Sequence, residues 1–142
     1  YSKEERVMGA RANIIVDTKI CLYSHWDGEN LAIILRDALD RGKERWNDAP
    51  YLTRIIFCEM IKDNVMSTTG YGISTHIEDN DYPFIWVDID TNTVYISDQK
   101  FSFEEYVNMS KDLILDIMSS QTSDYKFVTN LKEQRQRSIK QD

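Results

Sequence analysis

The chain is poor in the residues that mark specialised classes of protein. It has two cysteines in 142 residues, Cys21 and Cys58, and no CxxC pair, which excludes a disulfide framework and a thiolate metal cage. Both thiols fall in apolar patterns and are expected to be reduced core residues, as in a reducing cytosol. Two prolines and five glycines exclude collagenous and low-complexity chains. No apolar run approaches the ~20 residues of a membrane helix, and the first thirty residues hold no signal-like apolar stretch, so no membrane partner is expected. Positive charge is in deficit: 17 Lys and Arg stand against 24 Asp and Glu, a net of −7. That balance opposes the field that non-specific nucleic-acid binding needs, so nucleic acid is not an expected direct partner. There are only two histidines, and GxSxG, P-loop, HExxH and Rossmann glycine patterns are missing. No catalytic residue, metal ligand or cofactor is therefore assigned.

What remains is one domain's length and a 42% apolar fraction, enough for a core without staples. The domain is expected over residues 9–119, after an N-terminal extension (1–8) and before a polar basic tail or helix (120–142). Residues 1–124 carry 12 basic and 22 acidic side chains, net −10, against 5 and 2, net +3, in residues 125–142. Apolar stretches over 11–17 and 19–25, separated by Asp17-Thr18-Lys19, predict a hairpin. Apolar residues at 31, 34, 35, 38 and 39 mark a helical face that ends at Gly42. Pro50 opens a second helix whose apolar residues spread so widely that it is expected to be central. Strands are expected over 71–77, 84–90 and 93–97, and Ser102 with Glu105 forms a capping box that opens a third helix running to about residue 119. The order ββααβββα predicts an α+β fold, a mainly antiparallel sheet with helices on one face.

Alternation assigns Ile73, Thr75, Ile77, Ile85, Val87, Ile89, Val94 and Ile96 to the helix-facing side of the sheet. Phe84, Trp86 and Tyr95, with Ser74, His76, Asp88 and Asp90, are left on an outer face. Exposed aromatics in one place point to an interface, and a homo-oligomer is expected there. Two loops carry the candidate ligand site. Ser24–Glu29 places His25, Trp26 and Asp27 at a strand-to-helix junction, and Ser67–Thr75 sets Tyr71 between Gly70 and Gly72. Trp26 or Tyr71 would stack on a planar group, Arg11 or Arg54 would neutralise an anion, and the Gly70 and Gly72 amides would donate to it. The acidic turn Ile77–Pro83 is expected to be solvated. His25 and His76 with Asp27, Asp79 and Asp81 match no known metal spacing.

The blocks GARANIIV, LYSHWDGE, RGKERWNDAPYLTRIIFCEMIK, TTGYGIST and DNDYPFIWVDIDTNTV, in this order, resemble a family of small bacteriophage and prophage proteins to which no activity is attached. The resemblance covers residues 9–97 and implies a viral origin and a bacterial host cytoplasm as the setting. With no catalytic signature, the expected role is a non-enzymatic counter-defence protein that sequesters a small nucleotide-derived immune signal of the host. The alternatives are an acidic inhibitor that mimics nucleic acid and binds a host defence protein, and a small metal-dependent hydrolase built on His25, Asp27 and His76.

Overall fold

The structure, a computed structural model, describes residues 10–120. The expected extension (1–8) and the basic tail, apart from Ser120, lie outside the described residues. The chain forms β1 (Ala12–Val16), β2 (Ile20–Ser24), α1 (Leu31–Arg41), α2 (Ala49–Ile61), β3 (Tyr71–Ser74), β4 (Ile85–Asp88), β5 (Thr93–Ile96), β6 (Gln99–Ser102), α3 (Phe103–Val107) and α4 (Lys111–Ser120). The sheet order is β3-β2-β1-β4-β5-β6. Only the β1–β4 pairing is parallel; the other four are antiparallel. This is the expected α+β class.

Each hairpin has a local cause. Asp17 and Thr18 both take positive φ, 53° and 57°, the pairing a two-residue turn needs between right-twisted strands. Asp17 also fastens that turn to the neighbouring hairpin: its amide donates to Val87 O at 2.8 Å, and its Oδ1 accepts from Ile89 N at 2.8 Å. Asn92 takes φ 51° between β4 and β5, and its Nδ2 donates to Trp46 O and Ile89 O, both at 2.9 Å.

The core lies between the sheet and the helices. Ala12, Ile14, Val16, Leu22, Ile85, Val87, Val94 and Ile96 meet Leu31, Leu35, Leu39, Leu52, Ile56, Phe103, Tyr106 and Ile114 there. The central helix is α1, not α2 as its apolar spread predicts. α1 contacts β1, α2, α3 and α4 and buries six side chains, whereas α2 buries four and leaves Tyr51 and Arg54 exposed. Apolar count alone misleads here because part of the apolar surface of α2 faces an open groove.

The expected third helix is two. α3 ends at Asn108, whose Nδ2 donates to Glu104 O, and α4 restarts where Ser110 Oγ accepts from Leu113 N at 3.2 Å. The capping box at Ser102 is present as predicted. β6, directly before it, was not expected. β3 stops at Ser74, so Thr75 to Ile77 leave the sheet, and Ile77 packs with Ile15, Cys21, Phe84 and Trp86 on the outer face, not against the helices. That face is not bare. Buried Asn13 donates through Nδ2 to Glu78 O (3.2 Å), Asp79 O (3.3 Å) and Asn80 Oδ1 (3.0 Å), which ties the segment after β3 across it. Phe84 is buried, Trp86 and Tyr95 are half-buried, and their rings stack at 4.8 Å.

Candidate functional site

Register brings the two expected loops together. Ala12 pairs with Ser24, and Ser24 with Tyr71, so Arg11, His25 and Gly70 fall in line at one end of the sheet. His25 N donates to Gly70 O at 2.8 Å and extends the ladder by one step. Beyond it four rings follow in sequence. Tyr23 OH lies 2.8 Å from His25 Nδ1. His25 and Trp26 meet edge-to-face at 5.6 Å, and Trp26 and Tyr71 at 6.2 Å, a favoured aromatic geometry. Tyr71 OH then donates to Asp27 Oδ2 at 2.7 Å and accepts from Asn64 Nδ2 at 3.5 Å. Burial first, and this bond to Asp27 second, push the Tyr71 hydroxyl up to about 12. Burial also raises the Tyr23 hydroxyl.

Gly70 has a role the sequence did not disclose. A Cβ at Gly70 would stand 2.0 Å from Trp26 Cζ3, and its φ is +95°. The missing side chain therefore makes room for the indole and not for a ligand. Gly72 makes no such demand: a Cβ there would meet nothing within 4 Å. It lies within β3, in register with Tyr23. Trp26 remains 44% exposed, packed against Gly70 and edge-to-face with His25 and Tyr71.

The arginines do not converge. Arg11 grips Asp81 with two parallel bonds, Nε to Oδ2 at 2.8 Å and Nη2 to Oδ1 at 3.1 Å, and reaches Asp79 Oδ2 with Nη1 at 3.1 Å. The hydrogen bond from Arg11 holds the Asp81 carboxyl below its ordinary range, and the same pairing raises Arg11. The Arg11 and Asp81 backbones also bond, Asp81 N to Arg11 O at 2.7 Å. The acidic turn is thus partly structural: Asp81 is a partner for Arg11, while the Asp79 side chain is 80% exposed. Arg54 is elsewhere, on α2 beside Cys58 Sγ, in the wall of a separate groove that contains Phe57 and Ile73. Arg36, Arg41 and Arg45 are engaged by Asp37, Glu59 and Asp48.

The strand-to-helix junction is internally bonded. Asp27 N donates to Ser24 Oγ (3.1 Å), Gly28 N to Ala10 O (2.8 Å) and Asn30 N to Asp27 O (2.9 Å), so these amides are not turned outward as an anion cradle. His76 sits in an exposed turn in which Ser74 Oγ bonds both its carbonyl and its amide. Among the described residues no group of three His, Cys, Asp or Glu could hold a metal ion. Cys21 is buried, Cys58 half-buried, and they form no disulfide. No helix of the described residues is long and apolar enough to cross a membrane.

Of the expected residues, the structure gathers Arg11, His25, Trp26, Asp27, Gly70 and Tyr71, sets Gly72 beside Tyr23 through the strand backbone with open space at its Cβ, and separates Arg54. Tyr23, Asn64 and Asp81 complete the cluster. Asp81 was visible as a carboxylate in a turn, but only the fold shows that its partner is 70 positions away. Comparison with family models, with curated proteins and with solved structures finds no match to this chain.

Proposed function

We propose that this is a phage-encoded binding protein that acts in the bacterial cytoplasm without turnover, docking its acidic body and the Trp26 corner on a basic surface of a host defence protein. One observation carries the choice over capture of a nucleotide. Arg11, at the same end of the sheet as His25 and Gly70, is already neutralised by two carboxylates, and Arg54 lines a different groove. A phosphate at Trp26 would find no uncommitted cation from these two arginines, and the body's net charge adds repulsion. A half-exposed Trp beside Tyr71, whose hydroxyl is bonded to Asp27, on a body of net negative charge instead has the make-up of an aromatic anchor with charged surroundings. Self-association belongs to this reading at the Trp86–Tyr95 stack. Sedimentation showing a monomer at micromolar concentration removes that part of it.

The test pairs capture with calorimetry. Wild type immobilised in bacterial lysate should retain a basic protein that elutes as salt rises, and Trp26→Ala should lose it. Calorimetry with cyclic and linear nucleotides should give no heat of binding. A nucleotide that binds wild type tightly and Tyr71→Ala weakly would replace this reading with signal sequestration.

A further inference from the structure

The groove that holds Arg54 is independent of the Trp26 corner. It is a cavity of about 510 Å³ between α2 and the β2–β3 edge of the sheet, within the size range of small-molecule sites. Its floor and walls include Ile20, Leu22, Phe57 and Ile73. Ile73 is 59% exposed, an unusual state for an aliphatic residue on the helix-facing side of a sheet, and it leaves apolar surface uncovered where α2 stops short of the edge strand. The polar equipment is sparse. The Thr53 hydroxyl is spent on Ala49 O at 2.6 Å, and Asp17 Oδ1 is spent on Ile89 N. Two cations, Lys19 and Arg54, line the same cavity, and neither forms an ion pair with a carboxylate among the described residues. The other described arginines all do.

We infer that this groove binds a free aliphatic carboxylate of medium chain length, its hydrocarbon against Phe57, Leu22 and Ile73 and its head group between Lys19 and Arg54. A nucleotide fits less well, because a base edge needs several fixed donors and acceptors and the walls supply almost none. Charge complementarity selects the head group. Asp17 answers Lys19 in part from the same lining, so Arg54 is the cation that an uncharged or cationic amphiphile would leave unanswered.

Calorimetry and methyl NMR of the full chain with decanoate test this. Decanoate should bind one to one and shift the methyls of Ile20, Leu22 and Ile73. Lys19→Gln with Arg54→Gln should weaken decanoate at least tenfold while leaving decanol unchanged, and Ile73→Asp, at an exposed position, should abolish both. The Trp26→Ala variant should bind decanoate like wild type, which separates this site from the docking corner. Absence of decanoate binding, an unchanged affinity in the double variant, shifts confined to Leu113 and Leu115, or retention by anionic phospholipid vesicles without binding of free decanoate would each overturn the inference.

Discussion

Three glycines make unequal demands, and alanine at each should show it. At Gly28 a Cβ would stand 2.5 Å from both Ala10 O and the Tyr82 ring, so Gly28→Ala forces backbone or ring to move and should cost about 1–3 kcal/mol. At Gly70 the left-handed φ and the indole both object, and Gly70→Ala should cost about 1–3 kcal/mol and release Trp26. At Gly72 nothing stands in the way, so Gly72→Ala should leave stability unchanged or raise it by about 0.4–1 kcal/mol. Urea midpoints of the three variants check the ranking, and a Gly72→Ala penalty as large as the others would contradict it. Tyr71 gives a pH signature. Its hydroxyl ionises near 10 when unfolded but only at about 12 in the fold, so it stabilises the protein below pH 10 and loses that contribution as pH rises towards 12. Buried Tyr106, whose hydroxyl donates to Ala32 O at 2.6 Å, is raised in the same direction. The urea midpoint should therefore fall above pH 10, and fall less steeply in Tyr71→Phe.

At the scale of elements, short-range chemistry was readable and long-range pairing was not. The Ser102 box is an example: Ser102 Oγ accepts from Glu105 N at 3.0 Å, and Glu105 Oε1 accepts from Ser102 N at 2.8 Å. Ser102→Ala should cost about 1 kcal/mol, measurable by thermal melting. The β1–β2 hairpin was legible from the polar break at Asp17-Thr18-Lys19; Asp17 and Asn92 accept the left-handed region their turns require, whereas Thr18 adopts it despite its branched Cβ. β6 was not, since Gln99-Lys100-Phe101-Ser102 has one apolar residue and runs straight into a helix cap. The division of α3 from α4 was hidden by an apolar face that continues across it, although Ser110 carries the restart. Asn13 was hidden too, as a polar residue inside an apolar run. Its partners, residues 78–80, belong to the turn Ile77–Pro83, whose acidic composition reads as solvated. Asn13→Ala strips those backbone carbonyls of their donor and should cost about 1–3 kcal/mol, and it should speed amide exchange in residues 75–83.

For the molecule as a whole, the sheet consists of two antiparallel sets, β3-β2-β1 and β4-β5-β6, each held by contacts between chain neighbours or across one helical excursion. Among the described strands they join along β1 and β4, where Ile14 faces Ile85, 71 positions further along the chain. Every hydrogen bond of that seam, and the Asp17 bonds to Val87 and Ile89 at its end, must wait for a large loop to close, an entropy cost met before any pairing rewards it. The seam is therefore expected to form late in folding, after both hairpins and the capped helix, on a scale of milliseconds or slower. Replacing Asp17 with Gly keeps a residue that accepts the left-handed turn conformation and removes the side-chain tie to Ile89, which forms with the seam and not with the hairpin. Stopped-flow kinetics should show faster unfolding with little change in the refolding rate, the behaviour of a clasp that fastens last and holds the two halves shut.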